Sequence, residues 1–314
     1  MTQSTASASA ASALNAETVA PVLVSFFSSL GLTRLAAAST ERASSSEHVA
    51  AVLCVDIAGF TSLTETFSHS GAQGAERLAA ALNEALQRII EAVVGSGGDI
   101  ISFAGDAVWA AWPVNDEEDA ASALMLACIA ASNSQASAKQ PMPYGVELKL
   151  RAVVGYGKLL AVAFTGAKPV SLVLGEAIEN AGALLSEARV GEVTLSQRAV
   201  ELCGARCSTS PISRSAYRFG ALTAPPQAPP ASGRRAIDAS FRSLLERAVP
   251  RSVQQRLLAG SSQWTAEFRT VSAIFVGLPG FKPMSSAKLP ELEATLDSIQ
   301  ACLGRFDEIG RAHV

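Results

Sequence analysis

Two aspartates, Asp56 and Asp106, have the setting that most clearly suggests chemistry. Asp56 ends an apolar run typical of a β-strand, and Asp106 lies in a Gly-Asp turn between two further apolar runs. A hairpin beside the first strand can bring its turn next to that strand's end, so the two carboxylates are expected to converge. Carboxylate oxygens are the hard ligands that Mg²⁺ prefers. The spacing therefore predicts a divalent-cation site at this edge of a sheet.

The residues that follow Asp56 are suited to holding phosphate. Gly59, Phe60 and Thr61 stand at the predicted start of a helix, where backbone N–H groups lack acceptors and the helix dipole favours anions. Glycine at position 59 lets a ligand approach the backbone closely. A cation site beside a phosphate-binding turn suits chemistry on a nucleoside triphosphate, where positioning and charge neutralisation carry most of the catalysis.

Hydrophobic periodicity predicts the elements that position these residues. Strands are predicted over residues 49–56, on both sides of the turn at Asp106, and over 146–155, 159–165, 170–174 and 191–195. Helices are predicted from Thr61, with a break near residues 68–71, and over 116–132 and 175–189. This β-α-β-β-α-β order is typical of a ferredoxin-like α/β fold with additions. Residues 39–47 and 134–143 are predicted to be polar connections, Gly155-Tyr156-Gly157 a turn, and Ser196 the cap of a short helix.

Composition limits the class of protein. The net charge of −3 favours neither nucleic acid nor an anionic membrane as a partner. The N-terminal apolar run, residues 22–35, is too short to span a bilayer, and no basic segment precedes it, so a cytoplasmic protein is expected. The five scattered cysteines indicate a reducing compartment and no disulfide framework. Cys203 and Cys207 are interpreted as small apolar residues near a helix end, because no second pair of ligands accompanies them.

Residues 55–61, together with residues 98–100 and 103–107, resemble the two acidic motifs of class III nucleotidyl cyclase domains. The similarity covers roughly residues 50–203 and is greatest to the first catalytic domain of the soluble adenylyl cyclases, including the Gly-Ala-Glu-Arg-Leu segment at residues 74–78. The resemblance implies that Asp56, Asp106 and the backbone carbonyl of Ile57 bind two Mg²⁺ or Mn²⁺ ions. It also implies conversion of ATP to 3′,5′-cyclic AMP and pyrophosphate, a reaction of intracellular signalling, at the interface of two homologous domains.

The chain departs from the family pattern at four positions. The helix motif that supplies a transition-state Asn and Arg falls on residues 178–183, where Glu179 and Ala183 replace them. The domain is therefore interpreted as the metal-binding half, unable to complement itself in a homodimer. The Lys and Arg that hold bicarbonate in the soluble cyclases correspond to Ser102 and Gly182, so weak or absent bicarbonate activation is expected.

The domain organisation follows from the same comparison. Five segments are predicted. A disordered or helical N-terminal extension (1–47) precedes the cyclase domain (48–207), and a Pro-rich linker with a helix over 241–258 follows (208–265). The last two segments are a truncated second cyclase domain with a strand over 269–275 and a helix over 289–306 (266–308), and an artefactual tail (309–314). Such a fragment is predicted to be inactive alone. Three alternatives stay open: a non-catalytic nucleotide-binding or dimerisation module that regulates a partner cyclase, an unrelated Mg²⁺ phosphotransferase, and GTP in place of ATP.

Overall fold

The computed structural model describes residues 23–115, 117–166, 168–226, 239–249 and 288–304, together with Gln254 and Gly277. The described helices are α1 Ser29–Glu41, α2 Phe60–Ser68, α3 Gly71–Gly95, α4 Glu117–Ala138, α5 Glu176–Leu184, α6 Gln197–Cys203, α7 Ala239–Ala248 and α8 Leu289–Gly304. The strands are β1 Ala43–Ala58, β2 Asp99–Ala104, β3 Ala107–Val114, β4 Lys149–Phe164, β5 Val170–Leu174, β6 Val193–Ser196, β7 Cys207–Pro211 and β8 Ala216–Leu222. Two 3₁₀ turns, Pro143–Gly145 and Gly204–Arg206, complete the described elements.

The strands form one eight-stranded sheet, and its centre confirms the predicted α/β fold. The strand order is β2-β3-β1-β4-β6-β8-β7, with β5 paired to β4. β1 lies between β3 and β4 and runs antiparallel to both, whereas β4 and β6 are parallel. The predicted β-α-β-β-α-β order is present from β1 to β4, and β5, β6, β7 and β8 are the additions.

Both faces of β1 are covered, which explains its nearly continuous apolar sequence. Leu53, Val55 and Ile57 belong to the core beneath α3 and α4, and Val52 and Cys54 belong to the core beneath α5. The buried face of α3 follows helical spacing through Leu78, Ala81, Ala85, Ile89 and Val93. A sheet between two helical layers thus fixes the end of β1, where Asp56 lies.

The hairpin of β2 and β3 is held against α3 by tryptophan packing. Trp112 donates its indole N–H to the carbonyl of Ser96 at 2.9 Å. A Cβ on Gly98 would lie 2.5 Å from the Trp112 ring, so only glycine admits the indole there. Trp109 packs on the opposite face of the sheet, beneath α5. Both tryptophans are core residues, as predicted.

The predicted turn at Gly155-Tyr156-Gly157 is wrong, because β4 is one unbroken strand of 16 residues. The two glycines allow α5 to approach the strand. A Cβ on Gly155 would lie 3.2 Å from the Cβ of Ala181, and one on Gly157 would lie 3.4 Å from Ala177. Glycine here serves helix–strand packing and not a change of chain direction.

Two predicted connections are also wrong. Residues 39–47 are the end of α1 and the start of β1, because Arg42 adopts a positive φ of 65° and reverses the chain directly into the strand. Residues 134–143 lie partly in α4, which continues to Ala138. The helix predicted from residue 175 ends earlier, at Leu184. Ser196 does cap α6, accepting the N–H of Ala199 at 3.2 Å.

The region after Cys207 begins with a hairpin and not with a linker. β7 and β8 pair antiparallel and extend the sheet beyond β6. Their turn is closed by Ser213, whose hydroxyl accepts the N–H groups of Ser215 and Ala216. The Pro-rich part of the predicted linker begins only after Leu222, and residues 227–238 lie outside the described residues.

The helices α1, α7 and α8 pack against β4 and β5. α1 and α7 share a buried cluster with Ala163 of β4, which includes Leu35 and Leu245. α8, as predicted from residue 289, places Leu292 and Leu296 against β4 and β5. The strand predicted over residues 269–275 lies outside the described residues. In the part of the chain that is described, no helix combines the length and the apolar character needed to cross a bilayer.

Candidate functional site

The strand that carries Asp56 and the hairpin turn that carries Asp106 meet at one end of β1. The register of β1 and β3 pairs Val55 with Val108, so Asp56 lies beside Ala107, one residue from Asp106 in the hairpin turn. Gly105 adopts a φ of 64° in this turn, which glycine tolerates without strain. The predicted convergence of the strand end and the hairpin turn is therefore present in the fold.

The pKa shifts of neighbouring groups also indicate that Asp56 and Asp106 are close to each other. Burial raises the pKa of Asp106 above its ordinary value, the Asp56 charge raises that pKa further, and the Asp106 backbone N–H and Arg151 oppose both effects. The pKa of the buried Cys54 thiol is raised by burial and by the charges of both aspartates. Like-charged carboxylates that disfavour one another are the arrangement that a cation would relieve.

Arg151 of β4 is the residue that sequence reasoning missed. It lies opposite Asp56 in the register of β1 and β4. Its Nε and Nη2 atoms donate to Oδ2 of Asp56 at 3.0 and 2.5 Å. The Asp56 side chain is only 15% exposed, so this pairing fixes its orientation. The available signal was an arginine within an otherwise apolar strand sequence, Leu150 to Val154.

The turn predicted to bind phosphate begins helix α2. Gly59 is the N-cap of α2 and lies in the left-handed region, with φ 75° and ψ 21°. Its carbonyl accepts the N–H of Leu63 at 3.0 Å, which starts the helix. Phe60 is partly buried and Thr61 is exposed, and their N–H groups belong to the first turn, which a helix leaves without internal acceptors. The turn follows Asp56 by three residues.

The donor set fits a hard cation whose coordination is completed by substrate. Within the described ranges, no group of three or more His, Cys, Asp and Glu side chains could hold a metal ion. Two carboxylates and the carbonyl of Ile57 offer only oxygen, which suits Mg²⁺ or Mn²⁺ and does not suit soft metals. The remaining ligands of such an ion would be phosphate oxygens and water.

The replaced positions of the helix motif lie on α5. Glu179 and Ala183 are both exposed, whereas Ala177 and Ala181 of the same helix face the sheet. Gly182 lies against the ring of Trp109, with 3.7 Å between a built Cβ and the ring, and Ser102 is partly buried on β2. None of these four side chains brings a positive charge to the site.

Comparison with known proteins agrees with the interpretation of the sequence motifs at Asp56 and Asp106. No family model matches the chain. The chain is 30% identical over 156 residues to adenylate cyclase type 10 of Rattus norvegicus and, over the same length, to that of Homo sapiens. The match covers 48% of this chain and 10% of each relative, so the chain spans about a tenth of the length of the curated relatives it matches.

Solved structures of cyclase domains also resemble this chain. The guanylate cyclase domain of RhGC from Catenaria anguillulae in complex with GTP matches with a TM-score of 0.48 and 16% identity, over 57% of this chain and 100% of that one. The adenylyl cyclase CyaB from P. aeruginosa matches with a TM-score of 0.44 and 20% identity, over 62% and 99%. The sequence matches and the motifs at Asp56 and Asp106 support a class III nucleotidyl cyclase catalytic domain in this chain.

Proposed function

We propose that this domain is the metal-binding half of an adenylyl cyclase, which converts ATP to 3′,5′-cyclic AMP and pyrophosphate. The observation that carries the proposal is the convergence of Asp56 and Asp106 beside the left-handed turn at Gly59. The 30% identity to adenylate cyclase type 10 favours ATP over GTP as the substrate. ATP is an intracellular nucleotide, so the proposed activity belongs in the cytoplasm, in cyclic-nucleotide signalling.

Each residue of the site has a proposed part in the reaction. Asp56, Asp106 and the carbonyl of Ile57 would hold two Mg²⁺ or Mn²⁺ ions. Such ions would lower the pKa of the ribose 3′-hydroxyl and neutralise the departing pyrophosphate. The N–H group of the N-cap Gly59 and those of Phe60 and Thr61 in the first turn would donate to the triphosphate, where the helix dipole favours negative charge.

Arg151 would serve the same site in two ways. Before ligands bind, its guanidinium holds the Asp56 carboxylate against β4. A cation at Asp56 would compete for the same oxygen, and the guanidinium would then be free to pair with a phosphate, for which its planar donor set is suited.

The partner of this domain would be a second cyclase domain. Glu179 and Ala183 are exposed on α5 and offer neither the amide nor the guanidinium that the family uses in the transition state. A second copy of this chain would therefore not complete the site, and an intramolecular second domain is the proposed complement. Because Glu179 and Ala183 lack these catalytic groups, a second candidate is a nucleotide-binding module that regulates a partner cyclase without catalysis.

A reconstitution assay tests the proposal. The full chain is mixed with the second catalytic domain of a soluble adenylyl cyclase, and cyclic AMP and cyclic GMP are measured with Mn²⁺ and ATP or GTP. Asp106→Asn is expected to reduce cyclic AMP formation about a hundredfold or more, the magnitude typical of one lost electrostatic stabiliser. Glu147→Gln, which removes an exposed acid outside the site, is the matched control and is expected to retain full activity.

The outcomes separate the two candidates. Cyclic AMP formation that survives Asp106→Asn would refute the assigned role of the carboxylate. Nucleotide binding without any cyclic product, in a mixture whose second domain is active with another partner, would favour the regulatory module.

A further inference from the structure

The ion pair between Arg151 and Asp56 places a positive charge inside the proposed cation site. The two residues lie directly opposite each other in the register of β1 and β4. Nε and Nη2 of Arg151 both donate to the same carboxylate oxygen, Oδ2 of Asp56, at 3.0 and 2.5 Å. The Asp56 side chain is 15% exposed and the Arg151 side chain 34% exposed. Water and salt therefore screen this pair less than they screen a pair on the open surface.

The positive charge of Arg151 also reaches Asp106. β1 lies between β3 and β4, so Asp56 has the hairpin of Asp106 on one side and Arg151 on the other. Burial is the main cause that raises the pKa of Asp106, and the Arg151 charge acts in the opposite direction. Arg151 thus balances one of the two negative charges at this end of the sheet. A divalent cation is attracted less strongly to such a group than to two unpaired carboxylates.

A divalent cation at Asp56 therefore has to compete with the guanidinium. Displacing Arg151 costs two charge-assisted hydrogen bonds and leaves a partly buried positive charge without its acceptor. Binding beside Arg151 costs the repulsion between two positive charges at short range. A nucleoside triphosphate changes this balance, because its oxygens coordinate the cation and also accept hydrogen bonds from the released guanidinium.

We propose that Arg151 is a selectivity residue, which makes the site reject a bare divalent cation and accept one that arrives with a nucleoside triphosphate. The inference rests on the proposed function, since it assigns a form of regulation to the same site. Through Arg151, bound triphosphate and bound cation each raise the affinity of the domain for the other. The domain is then loaded by the cation–nucleotide complex and not by the free ion.

Mn²⁺ binding, followed by electron paramagnetic resonance, tests the proposal in wild type and in Arg151→Gln. The full chain is titrated first with Mn²⁺ alone, and then with the Mn²⁺ complex of a non-hydrolysable ATP analogue. Arg151→Gln is expected to bind bare Mn²⁺ at least about tenfold more tightly than wild type, because no ion pair has to be broken. It is expected to bind the Mn²⁺–analogue complex no more tightly than wild type.

Two further variants separate this role from a general effect of charge. Lys149→Gln removes an exposed cation two residues earlier on the same face of β4, and should change neither affinity by more than about threefold. Arg151→Lys keeps the positive charge but loses the paired donors, so its affinity for bare Mn²⁺ should lie between those of wild type and Arg151→Gln. A residue that only supported the fold would weaken both kinds of binding when replaced.

The outcomes distinguish this inference from the proposed function. Bare Mn²⁺ that binds Arg151→Gln no more tightly than wild type, while Asp106→Asn still weakens binding, would overturn the role of Arg151 and leave the metal site intact. Mn²⁺ binding that Asp106→Asn does not weaken would refute the proposed metal site, and this inference with it.

A second measurement uses the wild-type chain alone and so does not depend on a variant that binds metal. The side-chain Nε–H signal of Arg151 is followed by nuclear magnetic resonance and is assigned by its absence from Arg151→Lys. Its chemical shift is expected to change when the Mg²⁺ complex of the ATP analogue is added, because the guanidinium exchanges the Asp56 carboxylate for phosphate. A signal that stays unchanged at saturation would contradict competition for Asp56.

Discussion

Asp99 joins the N-terminal helix to the hairpin that carries Asp106, and replacing it should loosen that helix. Asp99 is the first residue of β2, and its two carboxylate oxygens accept the N–H groups of Ser29 and Leu30 at 2.9 and 3.2 Å. Ser28 accepts the N–H of Gly31 at 3.0 Å, so the first turn of α1 is satisfied by these two side chains together. Asp99→Asn keeps the size of the side chain and replaces one oxygen with an NH₂ group.

The expected loss of stability in Asp99→Asn follows from the two hydrogen bonds that Asp99 accepts. An amide can satisfy only one of the two N–H groups, because its nitrogen is a donor, so one hydrogen bond to a charged group is lost at about 1.5–3 kcal/mol. Burial raises the pKa of Asp99, so part of this loss is returned when the charge is removed. We expect a net loss of about 1–2 kcal/mol, which corresponds to a fall in Tm of roughly 2–8 °C for a domain of this size.

Thermal unfolding followed by circular dichroism measures the fall in Tm, and hydrogen exchange locates it. Faster exchange is expected in α1, whereas the amides of β1 should keep their protection. Asp106→Asn is the matched control, because Asp106 is near another carboxylate and its neutralisation should not lower Tm. An unchanged Tm for Asp99→Asn, with unchanged exchange in α1, would refute the account of this contact.

Three further predictions concern the sheet and the site. Gly155→Ala should lower the free energy of unfolding by about 1–3 kcal/mol in urea titrations, because the new methyl group lies 3.2 Å from Ala181. The raised pKa of Asp106 means that the folded state holds this proton more tightly than the unfolded state, so its contribution to stability is greatest below the ordinary Asp pKa and falls as pH rises through the higher folded value. Asp106→Asn should therefore remove this fall from the curve of unfolding free energy against pH above the ordinary Asp pKa. Arg151→Met should destabilise the chain by about 1–2 kcal/mol, since it leaves the partly buried Asp56 without its cation, and should reduce reconstituted cyclase activity more than it reduces stability. Wild-type stability after Gly155→Ala or Arg151→Met, or a pH dependence that Asp106→Asn leaves unchanged, would contradict the corresponding contact.

The parts of the fold that could be predicted are those determined by residues close together in the sequence. The strand ending at Asp56, the Gly-Asp turn at Asp106 and the long helix between them follow from periodicity and turn chemistry. Ser196 as a cap follows from the same kind of local rule. Because antiparallel neighbours bring a turn beside a strand end, the convergence of the two acids could also be predicted.

The parts that could not be predicted depend on contacts distant in sequence. From the sequence alone Gly155 is interpreted as a turn residue, and only the close approach of α5 shows that it serves helix–strand packing. Asp99 reads as local turn chemistry, yet it caps a helix 70 residues away in sequence. Arg151 reads as one charge in an apolar strand until the register of β1 and β4 places it opposite Asp56. The β7–β8 hairpin was missed because short, polar edge strands lack clear alternation.

The central claim is that Asp56 and Asp106 share a divalent cation, and a Mn²⁺ titration followed by electron paramagnetic resonance tests it most directly. The full chain is titrated in the presence of a non-hydrolysable ATP analogue, alongside Asp56→Asn, Asp106→Asn and Glu147→Gln. Wild type and Glu147→Gln should bind Mn²⁺ with equal affinity, and each aspartate variant should bind at least about tenfold more weakly, a loss of about 1.4 kcal/mol. Equal Mn²⁺ affinity in all four proteins would contradict the claim.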